Sequence, residues 1–144
     1  MIYYKDEELI LRTLTEQDID TICEEKRRQG RHPDKERYMK RIHDMENGKS
    51  YAIAAEYKGI AVGYINLLFK AVDGPFEGIY PEIYDFGINE KYRRKGIGSK
   101  MMDVAEALAS ERSDIVCLAK GTFYNFFHLR EIFLCYGQNR NFLL

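Results

Sequence analysis

The sequence predicts an α/β (α+β) domain in which a mixed, largely antiparallel sheet is flanked by helices. Three observations carry this. Short apolar or alternating segments are interleaved with segments of helical period. Antiparallel signals, a tight hairpin above all, come first, and a strand–helix–strand unit follows them. The chain has 144 residues, 45% of them hydrophobic, with a formal net charge of -1. At about 150 residues per domain this is one domain, residues 1–144, with enough apolar material for a core.

Taken in order, Leu9 to Leu14 reads as a first strand. Thr15-Glu16-Gln17-Asp18 fits a capping box, and Ile19, Ile22 and Cys23 follow at helical spacing, giving a helix over about 16–28. Gly30 to Pro33 breaks it. Asp34 caps a second helix over about 35–47, with Tyr38, Ile42 and Met45 on one face and Gly48 at its end. Residues 51–57 and 60–69 flank Lys58-Gly59 as a hairpin. Glycines and prolines make 71–81 a loop, and Glu82 to Ile88 is a strand. Met101, Val104, Ala105 and Leu108 share one face of a helix over about 96–111. Asp114 to Ala119 is a buried strand, and a final helix is expected within 124–136.

Composition excludes several functions. Lys plus Arg is 22 against 23 Asp plus Glu, so bulk charge argues against a nucleic-acid binder. No apolar run approaches the roughly 18 residues of a membrane span, and the acidic start has no signal-peptide core. A cytoplasmic location is the expectation. Cys23, Cys117 and Cys135 form no CxxC pair, and His32, His43 and His128 are scattered, so no metal site is expected.

The chemistry concentrates in Tyr84 to Met101, where a strand enters a basic, glycine-containing turn that opens a helix. The first N–H groups of a helix lack internal partners and carry the positive end of its dipole. Gly96 and Gly98 let a ligand approach the backbone, and Arg93, Arg94 and Lys95 raise the local potential. The turn is therefore an anion cradle suited to a pyrophosphate. It is not a Walker A loop, and the third glycine of a dinucleotide-binding turn is replaced by Met101. Arg93-Arg94-Lys95-Gly96-Ile97-Gly98 does fit Arg/Gln-x-x-Gly-x-Gly/Ala.

That pattern, between a strand and a long amphipathic helix, resembles the acetyl-CoA signature of the GNAT N-acetyltransferases. The resemblance covers about residues 9–137 and implies the GNAT acyl-CoA N-acyltransferase fold. It further implies that backbone N–H groups from Arg94 through Ser99 hold the pyrophosphate. The strand ending at Phe86, Gly87 and Ile88 would splay from the strand containing Ile115-Val116-Cys117 and pair with the pantetheine arm. The N–H of Ile88 would stabilise the oxyanion. Acetyl-CoA is then the co-substrate, no metal is needed, and the acceptor is a primary amine on a small molecule or peptide.

An amine acceptor must lose a proton before attack. Glu82 lies fourteen residues before Gly96, the offset of the base in histone-acetylating relatives, and is the expected general base. Asp85 is held in reserve, and an ideal strand would turn it to the opposite face. The family's acid is a Tyr on the last helix, but that position is Phe133; Tyr136 is the expected substitute and Tyr124 another. A domain that binds acetyl-CoA without catalysis, as a sensor or subunit, is the alternative reading.

The family continues past the last helix with two more strands, whereas seven residues follow Gly137 here. The C-terminal strands are thus expected to be missing or altered. The last 23 residues hold five Phe and only Arg130, Glu131 and Arg140 as charged groups, so they need cover. The expectation is a homodimer through this aromatic region, or a truncated or frame-shifted end. The helix 1–helix 2 region, with Arg28 and Arg31 among its bases, would line the acceptor site and suit an acidic acceptor. Tyr80, Tyr84, Tyr92 and Tyr124 are candidates for the same groove.

Overall fold

The computed structural model describes residues 1–120 and 123–128, the last eight strand residues, 119–120 and 123–128, by backbone only. It contains strands β1 (Ile2–Lys5) and β2 (Leu9–Thr13), helices α1 (Glu16–Arg28) and α2 (Lys35–Glu46), and the hairpin β3 (Ser50–Tyr57) and β4 (Ile60–Leu68). These are followed by β5 (Glu82–Ile88), helix α3 (Ile97–Ser110), β6 (Ile115–Lys120) and β7 (Phe123–His128). The seven strands lie in one sheet in chain order. Every pairing is antiparallel except β5 with β6. The mixed, largely antiparallel sheet is the one expected.

The helices start where their caps sit. Thr15 and Asp18 form a reciprocal capping box at α1, and Asp34 accepts from the Arg37 N–H at α2. Arg12 of β2 donates to both oxygens of Asp18 at 2.7 and 2.8 Å, tying the cap of α1 to the sheet. Two cores result. One face of the sheet buries Ala52, Ala54 and Tyr64 against Ile19, Ile22 and Cys23 of α1 and Tyr38 and Ile42 of α2. The other buries Ile53, Ile65, Leu67 and Ile83 against Ile97, Met101 and Ala105 of α3.

Two elements depart from expectation. Strand β1 was not foreseen, because its four residues are half-exposed and begin before the first apolar run. Part of the expected final helix, from residue 124 to 128, is strand β7, antiparallel to β6. The run Phe-Tyr-Asn-Phe-Phe-His begins three residues after β6 ends, and aromatic residues favour a pleated surface. Phe133, Tyr136 and the rest of that helix lie outside the described residues.

Candidate functional site

Strand β5 organises the site because its two neighbours treat it differently. On one side β4 pairs with it along its length, from Glu82↔Leu68 to Ile88↔Gly63. On the other, β6 pairs with it only at Glu82↔Cys117 and Ile83↔Leu118. Beyond Ile83 the two parallel strands part, as the resemblance implied. Hydrogen-bonded and non-hydrogen-bonded pairs alternate along an antiparallel ladder. The Asn89 N–H donates to the Val62 carbonyl at 2.8 Å, so Ile88 and Phe86 turn their N–H and C=O groups away from β4 and into the gap. Arg93 Nε occupies the Ile88 carbonyl at 3.1 Å. The Ile88 N–H faces the gap.

Gly63, unnoticed in the sequence, fixes this geometry. A Cβ there would lie 2.5 Å from the Gly87 carbonyl oxygen and 3.1 Å from the Ile88 Cα. Only glycine lets β4 approach the very residues that border the gap. A glycine inside an otherwise apolar strand is the signal that could have found it.

Past Ile88 the chain makes a short 3-10 turn, Glu90–Tyr92, and reaches α3 through two left-handed residues, Arg94 at φ 62° and Gly96 at φ 78°. Alternating backbone hands of this kind aim successive N–H groups into one concavity. Gly96 is the N-cap of α3; no side chain caps the helix and its first turn holds no acid. A depression of about 210 Å³ lies here, lined by Ile88, Tyr92, Arg94, Gly96, Gly98 and Ser99. Arg94 and Lys95 are exposed and have no ion-pair partner among the described residues. An uncapped N-terminus beside a strand edge can hold a diphosphate at one end and an extended amide-bearing arm along the other. These residues fit coenzyme A in both respects.

Two carboxylates stand on the same strand. An ideal strand would set Glu82 and Asp85 on opposite faces, but they share one. The ladder slips between Asn66 and Leu67, so Ile83 pairs with Leu67 and Asp85 with Asn66 while Tyr84 bulges out. Both acids therefore face the α1–α2 side. Asp85 is clamped: Arg41 Nε donates to it at 2.9 Å, and Arg37 donates through both Nε and a terminal nitrogen. The Arg41 guanidinium also stacks 4.7 Å from the Tyr84 ring. A carboxylate held this way is not available as a base, which removes Asp85 from reserve.

Glu82 is the opposite case. Its side chain is 0% exposed, and neither carboxylate oxygen has a hydrogen-bond partner among the described residues. Burial, with a smaller push from the Asp73 carboxylate, raises its pKa to about 7. The Val72 N–H draws it back slightly without closing a well-formed bond. Glu82 is thus near half-ionised at neutral pH, where a proton acceptor is most effective. Its ladder partner Cys117 is buried, and burial together with Glu82 pushes that thiol up to about 11, so it is an inert apolar group at neutral pH. On the same face, Ser50 Oγ and both amide atoms of Asn66 are buried without partners among the described residues. Sequence reasoning singled out neither.

The other candidates sort quickly. Tyr80 and Tyr84 are half-buried, and the Tyr92 ring packs against Tyr57 at 6.1 Å. Tyr124 lies in β7, and Tyr136 is outside the described residues. The basic α1–α2 region is largely self-neutralised: Arg28 pairs with Glu24, Arg31 with Glu90, Lys35 with Asp20, and Arg37 and Arg41 with Asp85. Arg28 and Arg31 each face an acid at exposed positions. No helix among the described residues is long and apolar enough to cross a membrane.

Solved structures share this fold. A PaiA N-acetyltransferase from Thermoplasma acidophilum, in complex with coenzyme A, is 17% identical over 76% of this chain and 77% of its own, with a TM-score of 0.58. A ribosomal-protein-alanine N-acetyltransferase from Brucella melitensis is 19% identical over 75% and 72%, with a TM-score of 0.60. Ard1 from Thermoplasma volcanium is 18% identical over 77% and 70%, also at 0.60. No curated protein matches the sequence. The model of the acetyltransferase (GNAT) family matches residues 19–125, which run from within α1 to the middle of β7 and so enclose the parted strands, the cradle and Glu82. With the anion cradle, the open strand edge and the family's own pattern coinciding over most of its length, the chain belongs to the GNAT acetyltransferase family.

Proposed function

We propose that the protein is an N-acetyltransferase that moves the acetyl group of acetyl-CoA to a primary amine. The observation that carries this is the parting of β5 from β6 directly above the uncapped start of α3. Coenzyme A supplies the acetyl group as an activated thioester. Arg94 through Ser99 hold its pyrophosphate by backbone N–H groups, with Arg93, Arg94 and Lys95 adding positive potential. Phe86 pairs with the pantetheine arm through the backbone N–H and C=O that β4 leaves free. The Ile88 N–H donates to the acyl oxygen as negative charge develops there. Glu82, through water, takes the proton of the attacking amine. The proton for the leaving thiolate comes from Tyr136 or Tyr124. The lack of a hydrogen-bond partner for Glu82 among the described residues supports catalysis over the alternative of a binding module, since a lapsed site has no use for an isolated buried carboxyl group.

Calorimetric titration with acetyl-CoA, followed by a thiol-release assay against an amine panel, tests this. Wild type should bind in the micromolar range. Gly96→Glu should abolish binding, and so should Ser99→Glu. The second variant places an acid in the first turn of α3, which favours the helix while opposing a phosphate. Binding retained by a folded Ser99→Glu protein would sink the cradle assignment. Binding without release of coenzyme A to any amine would mark a sensor instead of an enzyme.

A further inference from the structure

The largest cavity among those described, about 590 Å³, lies at the end of the sheet where β4 finishes and β5 begins, away from the cradle. Its cationic groups come from helix α2 and three connecting segments. They are Lys40 of α2, Lys49 just before β3, Lys70 beyond β4 and Arg112 past the end of α3. Asp44 is the single acid on its wall and already faces Arg41 at 4.0 Å. Lys40, Lys49 and Lys70 have no ion pair among the described residues. This contrasts with Arg28, Arg31, Lys35, Arg37 and Arg41, all of which are paired. Arg112 is held in place by its guanidinium lying 3.5 Å from the centre of the Phe69 ring, so its charge is positioned without being neutralised.

The cavity is also close to the candidate base. Leu68 on its wall is the ladder partner of Glu82, and Val72 on its wall carries the N–H that approaches the Glu82 carboxylate. An amine that approaches the Glu82 end of β5 from this side, its proton passing to Glu82 through water, would leave the remainder of its molecule in the cavity. Four cations against one satisfied anion favour a negatively charged remainder.

We infer that this cavity is the acceptor subsite and that it selects an amine carried on an acidic peptide. This rests on the acetyl-transfer reading and adds the substrate class. The sequence alone placed an acidic acceptor against the α1–α2 bases; the pairing pattern moves it to the other end of α2.

The test uses two fluorescently labelled hexapeptides, one with three glutamates behind a free amino terminus and one with three glutamines. Polarisation on the full chain with coenzyme A present should show at least tenfold tighter binding of the glutamate peptide, weakening as salt rises. Lys49→Gln/Lys70→Gln, at two exposed positions and checked for folding by thermal melt, should remove most of that preference. Arg112→Gln should do so independently. Equal binding of the two peptides, or a preference untouched by these variants, would overturn the inference. Preference by free glutamate over the peptide would replace the peptide with a small acidic amine. In the thiol-release assay, no coenzyme A release to the glutamate peptide while another amine is acetylated would overturn the inference, and a retained glutamate preference with no release to any amine would overturn the acetyl-transfer reading alone.

Discussion

Glu82 and Asp85 are two buried carboxylates three residues apart on one strand and one face, yet their surroundings oppose each other. Asp85 meets two guanidinium groups from α2, while among the described residues Glu82 meets only a backbone N–H at the edge of reach and the repulsion of Asp73. The first acid is a structural tie between sheet and helix, and the second is a group kept chemically ready. Burial alone does not assign a role to a carboxylate; the charge that faces it does.

Substitution can break this contrast. The largest expected effect is Glu82→Gln, which should lower kcat for acetyl transfer by about 10²–10⁴-fold, the usual contribution of a positioned base. Stopped assays over a pH series check it, and the wild-type rate should rise through about pH 7 as Glu82 ionises. A variant with full activity would return the role of base to another group. Asp85→Ala should cost about 3 kcal/mol of stability, because it leaves the Arg41 guanidinium, 8% exposed, with only the more distant Asp44 at 4.0 Å among the described residues. Urea melts should register that loss, whereas acetyl-CoA affinity in the surviving folded fraction should change little.

The same pair differs in how pH acts on folding. The folded-state pKa of Glu82 is raised from 4.5 to about 7, so the native protein binds more protons than the unfolded chain between those values. Stability from this group is present below pH 4.5 and is lost as pH rises through 7, by roughly 3 kcal/mol in all. Glu82→Gln should abolish that loss and melt higher than wild type at pH 8, even as it disables the enzyme. Melts at pH 5 and pH 8 for both proteins decide this, and equal slopes would contradict it. The smallest effect belongs to Arg37→Gln. Arg37 is 53% exposed, so its removal from Asp85 should cost under about 1 kcal/mol, far less than the loss of Arg41.

Much of this was legible in the sequence. Helical spacing and caps placed α1, α2 and α3, Lys58-Gly59 placed the β3–β4 hairpin, and Arg93 to Gly98 placed the cradle. Glu82 was nominated by its offset from Gly96. What stayed hidden was parity. Glu-Ile-Tyr-Asp alternates plausibly as a regular strand, and nothing local reveals that Tyr84 bulges, since the slip is set by how Asn66 and Leu67 pair across the sheet. The Asp85–Arg41 contact spans 44 residues and was invisible for the same reason. β7 was misread because a short aromatic run suits a buried helix or a strand equally well.

The bulge at Tyr84 makes the length of this strand a property under constraint, separate from its composition. Losing Tyr84 alone would leave Glu82-Ile83-Asp85 in ideal alternation with both acids still on the α1–α2 side, whereas losing Ile83 and Tyr84 together would make the acids adjacent and turn one of them into the apolar layer beneath α3. Point changes at Tyr84 keep the count and so keep both acids on their side. Deletion of Tyr84 alone should therefore be far better tolerated than deletion of Ile83 and Tyr84 together, and deep mutational libraries that include deletions would record that asymmetry directly.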